Sequence, residues 1–214
     1  MGGDLVELAT GLTKDKLQQP ARMNAVEVRQ VQAALAAITA APLYFGPKVD
    51  LPSIRAIAKR QSALCMQQWG QPLSAIFVDY LQIIPTHRGS KSETRDQEIG
   101  EMTRGFKNLA TELQCLVFVL SQLNRGVEQL ADKRPCLAHL RESGNIEADA
   151  DIVMFTFPPA QYMSDQQRQQ TLAHYEQGWE PLTYIVAKWR NGATGDVDCM
   201  WNRATNNVRS VLRQ

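Results

Sequence analysis

The chain has 214 residues, of which 44% are hydrophobic and 21% charged, and carries a formal net charge of +1. That length supports one substantial core. The near-neutral balance excludes a broadly basic nucleic-acid-coating protein, so any nucleic-acid contact must be local.

Cys65, Cys115, Cys136 and Cys199 show no C-x-x-C spacing. This argues against a zinc site or a disulfide framework and for scattered core thiols in a reduced, cytoplasmic protein. There is no signal peptide and no apolar run near the roughly eighteen residues of a membrane span.

Met1-Gly2-Gly3 runs straight into Asp4-Leu5-Val6-Glu7-Leu8-Ala9, already helical in character and an abrupt opening for a natural domain. Val28, Val31, Leu35 and Ile38 step at helical spacing, and Leu43-Tyr44-Phe45 is a short strand candidate. Asp50-Leu51-Pro52-Ser53 opens another helix, with Ser53 as N-cap and Ile54, Ile57 and Leu64 as its buried face. The apolar run before Asp79 predicts a buried parallel strand over about residues 73–79. Pro85 to Arg95 reads as a mobile polar loop.

Ile99, Met102, Phe106, Leu109 and Leu113 then step by three and four, which predicts a strongly amphipathic helix. Cys115 to Leu120 is a second buried strand, ending in Ser121-Gln122. Residues 124–140 read as a surface loop, and a short helix around Ile146 leads into a third strand, Ile152 to Phe157. The glutamine-rich segment 158–180 reads as an exposed insertion. Leu182 to Ala187 and Val197 to Trp201 form a hairpin around Asn191-Gly192-Ala193-Thr194-Gly195. This alternation is an α/β pattern with a parallel sheet and an antiparallel edge.

Open α/β sheets bind ligands at the carboxyl ends of their strands. An acid there, Asp79, suits a Mg²⁺-nucleotide site, because Mg²⁺ takes hard oxygen ligands and keeps several waters. Gln122 tips the next strand, where an amide can orient around a terminal phosphate. Spacing alone leaves it equally open that both residues simply cap strand ends. Lys188 and Arg190, two apart on a strand, share one face, but by themselves read as a solvated strand end. Arg141-Glu142 reads as a local ion pair at a helix start. Arg125, Lys133 and Arg134 read as solvated loop residues, and His87, His139 and His174 are given no role.

Five motifs stand in order: Phe77-Val78-Asp79-Tyr80-Leu81-Gln82, Leu120-Ser121-Gln122-Leu123-Asn124-Arg125, Ala131-Asp132-Lys133-Arg134-Pro135, Leu140 through Asp151, and Lys188-Trp189-Arg190-Asn191-Gly192. Together they resemble the replicative helicases of the DnaB type, densely over 73–202 and more faintly over 4–72. The resemblance implies a RecA-like motor domain in a hexameric ring that uses ATP and Mg²⁺ to translocate on single-stranded DNA and unwind duplex DNA. It also implies a primase and a helicase loader as partners. On the matching positions, Asp79 corresponds to the Walker B aspartate, supporting Mg²⁺ through water. Gln122 corresponds to the glutamine that couples the γ-phosphate to the DNA-facing loops, and Lys188 and Arg190 to the pair that reaches a neighbour's nucleotide. Arg141, Glu142 and Gly144 correspond to the channel-lining loop that contacts DNA.

The sequence departs from the family where the phosphate is gripped. No G-x-x-x-x-G-K-[ST] occurs, and the catalytic glutamate that precedes these motifs in the family has no counterpart. Gly46-Pro47-Lys48 and Gly89-Ser90-Lys91 lack the spacing. The expectation is therefore a RecA-like domain incomplete at its N-terminus. Residues 1–72 form a helical lead-in and 73–202 the motif-bearing core, within which 158–180 is an insertion. Unpaired apolar strand edges would favour aggregation or a complementing helicase chain, and the chain alone is expected not to hydrolyse ATP. The main alternative is a non-catalytic ring subunit or single-strand-binding module that supplies Lys188 and Arg190 in trans. A recombinase-like or circadian-clock-type RecA relative is disfavoured by Asp79 to Gln82 and Ser121 to Arg125. A remnant without function is disfavoured by the intact motifs.

Overall fold

A computed structural model describes residues 2–85, 94–129, 132–140 and 143–211. In chain order its helices are α1 (Gly2–Thr10), α2 (Lys14–Gln18), α3 (Ala25–Ala40), α4 (Leu51–Trp69), α5 (Arg95–Leu113), α6 (Ser143–Asp149) and α7 (Asp165–Leu172). The strands are β1 (Ala75–Val78), β2 (Leu116–Val119), β3 (Ile152–Phe157), β4 (Trp179–Trp189), β5 (Gly195–Asn202) and β6 (Asn207–Ser210). They make a parallel pair, β1-β2, and a separate sheet ordered β3-β4-β5-β6. The α/β expectation holds, with one difference: the antiparallel strands form their own sheet rather than an edge of the parallel one. The chain divides into two compact units, one of residues 1–43, 155–186 and 195–214, the other of 44–154 and 187–194.

In the first unit, Asn24 caps α3 by accepting from the N–H groups of Val26 and Glu27, while the Glu27 side chain answers the Asn24 N–H. Lys16 pairs with Glu27 and ties α2 to α3. The apolar spacing of α3 gives the helix, but no residue of it is buried. The predicted hairpin is longer than its apolar runs, because β4 begins at Trp179 and pairs with β5 from Trp179↔Asn202 to Val186↔Gly195. Sequence reading missed β6, which pairs with β5 from Cys199↔Ser210 to Asn202↔Asn207. Phe155, Phe157, Trp179, Leu182, Ile185 and Cys199 are buried here. Many residues of segment 158–180 are exposed, but Ala160 near its start and Trp179 and Glu180 at its end are buried.

The second unit is organised by α5. Ile99, Met102, Phe106 and Leu109 are all buried along one face of it, each worth roughly 1.5–3 kcal/mol relative to exposure. Thr94 caps the helix and Gln97 completes the capping box. Helix α5 packs on β2, α4 and α6. Arg55 and Lys59 of α4 both pair with Glu112 of α5, the former at 2.8 Å.

Four expectations need correction here. The N-cap of α4 is Asp50, whose Oδ1 accepts from the Ser53 N–H at 3.1 Å. Ser53 therefore receives the cap, and Pro52 sits in the first turn where its missing N–H costs nothing. The buried residue of α4 is Ala58, while Leu64 is exposed. Leu43-Tyr44-Phe45 forms no strand, and its three side chains are more than half exposed, because no ladder partner pairs with it among the described residues.

Lastly, the strands of the parallel pair are not buried on both faces. The register runs from Ala75↔Leu116 to Val78↔Val119. Phe77 and Phe118 stack with centroids 4.8 Å apart, yet remain 71% and 45% exposed, with Leu116 and Leu120 exposed beside them. A parallel sheet is stable with both faces covered. Among the described residues this face has no cover. The expected loop at 85–95 lies mostly outside the described residues, and its last two positions are the cap and first residue of α5.

Candidate functional site

The parallel register of β1 and β2 brings two polar residues to one end of the sheet. Asp79 directly follows β1 and is exposed, and Gln122 lies three residues past β2 and is also exposed. The backbone closes between them, since Leu120 N–H donates to Val78 O at 2.9 Å and Leu81 N–H donates to Leu120 O at 2.8 Å. Gln82 bridges the tips further, donating through Nε2 to Ser121 Oγ at 2.9 Å. Its Oε1 accepts from the Gln122 N–H at 3.2 Å. Arg95 secures this turn by donating to Gln82 O at 2.9 Å. Gln82 is the residue that sequence reading left without a role. Its signal was a lone amide in the apolar turn Leu81-Gln82-Ile83-Ile84.

A second group forms at the C-terminal end of α6. Lys188 Nζ donates to Glu147 O, and Arg190 Nη2 donates to Ala148 O at 3.0 Å. Both cations thus meet carbonyls of the last turn of α6, where positive charge is favoured. The Asp151 carboxylate joins them. One oxygen lies 3.3 Å from Arg190 Nη1, the other pairs with Lys107 of α5, and the Arg190 N–H donates to Asp151 O at 2.8 Å. The Lys107 hydrogen bond holds the Asp151 carboxyl below its ordinary value, helped by the charges of Lys107, Arg190 and Lys188 against the opposing effect of desolvation.

Helix α5 supports this group through a stripe at helical spacing. Asp96 O accepts from Asn145 Nδ2 at 3.3 Å, Gly100 makes room for that same Asn145, Thr103 Oγ1 donates to Asp149 Oδ2 at 2.6 Å, and Lys107 holds Asp151. Positions 96, 100, 103 and 107 lie on one face. The shared face expected of Lys188 and Arg190 is present, since both reach the same helix end. Among the described residues, no hydrogen bond or ion pair joins this group to Asp79 or Gln122.

Gly144 lies in the first turn of α6, and a Cβ added there would meet nothing within 4 Å. Arg141 and Glu142 lie outside the described residues, as does His87. The four cysteines are free, but Cys136 is exposed rather than a core thiol. It faces His139, whose Nδ1 accepts from the Cys136 N–H at 3.0 Å. No group of three His, Cys, Asp or Glu side chains suited to a metal occurs among the described residues. Among those residues, no helix is long and apolar enough to cross a membrane.

The family model described as the DnaB-like helicase C terminal domain matches residues 4–210. The replicative DNA helicase DnaB of Leifsonia xyli subsp. xyli is 43% identical over 169 residues, covering 78% of this chain and 33% of that protein. The DnaB of Geobacillus stearothermophilus is 39% identical over 165 residues, covering 77% and 34%. The chain therefore spans about a third of the length of the curated relatives it matches. Among solved structures, one ATPase domain superposes with a TM-score of 0.82 at 26% identity, covering 98% of this chain and 69% of that one. A DnaB-like replicative helicase, studied with its interactions with primase, gives a TM-score of 0.80 at 25% identity, covering 98% and 47%.

Proposed function

The chain belongs to the DnaB-like helicase C-terminal domain family, and on that premise we propose that it is the C-terminal part of an ATP-dependent motor that unwinds duplex DNA. In this reading, six motor subunits form a ring that translocates on single-stranded DNA in the cytoplasm, meeting a primase and a loader. The observation that carries it is the register of β1 and β2, which delivers Asp79 and Gln122 to one end of a parallel sheet, where such folds bind nucleotide.

The residues fit a Mg²⁺-nucleotide. Asp79 offers an exposed carboxylate, and Mg²⁺ is commonly held by one or two carboxylates together with waters and substrate phosphates. When bound, Mg²⁺ would neutralise phosphate charge. Asp79 would hold it through water, and Gln122 would orient around the terminal phosphate, its backbone fixed by Gln82. Lys188 and Arg190 would offset charge on a neighbouring subunit's nucleotide, a contribution worth roughly 10³–10⁵ in rate. Arg141, Glu142 and Gly144 would line the DNA channel. Glycine permits close backbone approach to phosphates, a mode that tracks the strand without reading bases.

Within its 214 residues the chain offers no phosphate-gripping loop, so the purified polypeptide is expected to show no DNA-dependent ATP turnover. Mixed with a full-length family subunit that lacks its own finger arginine, it should restore hydrolysis, and Arg190→Ala should abolish that effect. Turnover by the chain alone would refute the division of labour. Equal restoration by the Arg190→Ala chain would refute the finger. The second reading, a non-catalytic ring subunit, predicts the same restoration and is separated from the first by joining the chain to a phosphate-loop segment, which restores turnover only if the chain is motor.

A further inference from the structure

We infer that Asp151 is a positioning residue for Arg190, with Lys107 as the anchor that holds Asp151 in place. This rests on the reading of Arg190 as a finger. A cation acting on a neighbour's phosphate must be held to within about 0.5 Å and 10–20° of its productive geometry. A free arginine side chain carries rotamer entropy that works against such placement.

The geometry at Arg190 meets that need from behind. Asp151 Oδ1 lies 3.3 Å from Nη1, Ala148 O accepts from Nη2 at 3.0 Å, and the Asp151 carbonyl fixes the Arg190 backbone at 2.8 Å. Those side-chain contacts use two of the five N–H donors of the guanidinium, and the rest of the fork is available to a phosphate.

A carboxylate beside a finger would ordinarily cancel its charge. Here the second Asp151 oxygen pairs with Lys107, and Lys188 stands on the adjacent carbonyl. Three cations, Lys107, Lys188 and Arg190, gather around this one carboxylate, so its charge is shared among them and does not fall on Arg190 alone. The acid can therefore aim Arg190 without cancelling its charge. Because Asp151 lies two residues past α6, is itself held by Lys107, and α6 is fixed to α5 through Asn145 and Thr103, the aim of Arg190 is set by a supported segment.

The test uses two readouts. In the ¹⁵N-labelled chain, the Arg190 guanidinium Nη–H resonances, identified by their loss in Arg190→Lys, should shift and lose exchange protection in Asp151→Asn. In mixed rings with the finger-lacking full-length subunit, Asp151→Asn should lower kcat by about 10- to 100-fold, the order of loss that misplacing a catalytic group by 1 Å produces. KM should change little, and Asp151→Glu should recover part of kcat. An Asp151→Asn chain that restores hydrolysis as well as the wild type, where Arg190→Ala restores none, overturns the inference. So does an unmoved Arg190 resonance. A wild-type chain that restores nothing refutes the finger reading itself and takes this role with it. The resonance readout distinguishes that failure from a failure of the Asp151 contact.

Discussion

Asn145 of α6 occupies the space that a side chain at Gly100 of α5 would need. A Cβ on Gly100 would lie 2.7 Å from Asn145 Nδ2 and 2.8 Å from its Cγ. Replacing a helical glycine with alanine ordinarily gains about 0.8–1.0 kcal/mol of helix propensity. At Gly100 that gain is outweighed, because Asn145 must move whole and give up its bond to Asp96 O. Gly100→Ala should therefore destabilise the chain by about 1–3 kcal/mol, the usual range for overpacking. A urea midpoint at or above the wild-type value would contradict this. Gly105→Ala is the control. Its Cβ would meet the Leu51 Cδ2 tip at 2.2 Å, a methyl group that can rotate aside, so the cost should be clearly smaller.

The cap of α4 separates two side chains that look equivalent in sequence. Asp50 accepts from the Ser53 N–H, and Ser53 caps nothing. Asp50→Ala should cost about 0.5–2 kcal/mol and Ser53→Ala much less, measured by thermal or urea unfolding. A reversed order would restore Ser53 as the cap.

Much of this architecture was legible in the sequence, for physical reasons. The period of Ile99, Met102, Phe106 and Leu109 is that of a buried helix face, and α5 is that helix. The apolar run into Asp79 and the run from Ile152 to Phe157 are strands because branched and aromatic residues fit a pleated surface. What failed depended on partners that local pattern does not report. Leu43-Tyr44-Phe45 has strand chemistry but, among the described residues, no ladder to join. Phe77 and Phe118 have core chemistry but, among those residues, no element over them. In the candidate site, Lys188 and Arg190 were marked by their shared face. Their engagement with α6 was not, because Glu147 and Ala148 lie 41 and 42 residues away in sequence. Lys107 was invisible for the same reason: on α5 it reads as one more solvated cation.

The Asp151 group also predicts an acid-side instability. Its carboxyl is held below the ordinary value chiefly by the hydrogen bond from Lys107. A group whose folded pKa is depressed contributes stability above its unfolded value, near 3.9 for aspartate, and loses it as the pH falls toward the folded value. The urea midpoint should therefore drop on acidification from about pH 5 to about pH 3. Asp151→Asn should flatten part of that drop. Glu112, lowered by Lys59 and Arg55, should supply another part, flattened separately by Glu112→Gln. Because these pairs are exposed, raising the ionic strength should shrink both contributions. An acid limb identical in wild type and Asp151→Asn would count against the pairing.

Glu180 on β4 makes a harder electrostatic case. The residue is 9% exposed. Its Oε1 accepts from Arg168 Nη2 of α7 at 2.9 Å. Glu180 Oε2 and Arg168 Nε, both buried, find no hydrogen-bond partner among the described residues. Removing one member of a fully buried pair costs about 3–5 kcal/mol, because the other charge is left uncompensated. Here the Arg168 side chain is 37% exposed, so solvent screens the pair, and Arg168→Met should cost less, about 1–3 kcal/mol, the range for leaving a buried acceptor unpaired. Replacing both, as Arg168→Met with Glu180→Leu, also removes the carboxylate whose burial is the problem, so the double variant should be more stable than Arg168→Met alone. A double-mutant cycle from urea midpoints measures this. If Arg168→Met alone leaves the midpoint unchanged, the ion pair does not hold α7 to the sheet, and the contact of segment 158–180 with β4 must come from Ala160 and the apolar residues around it.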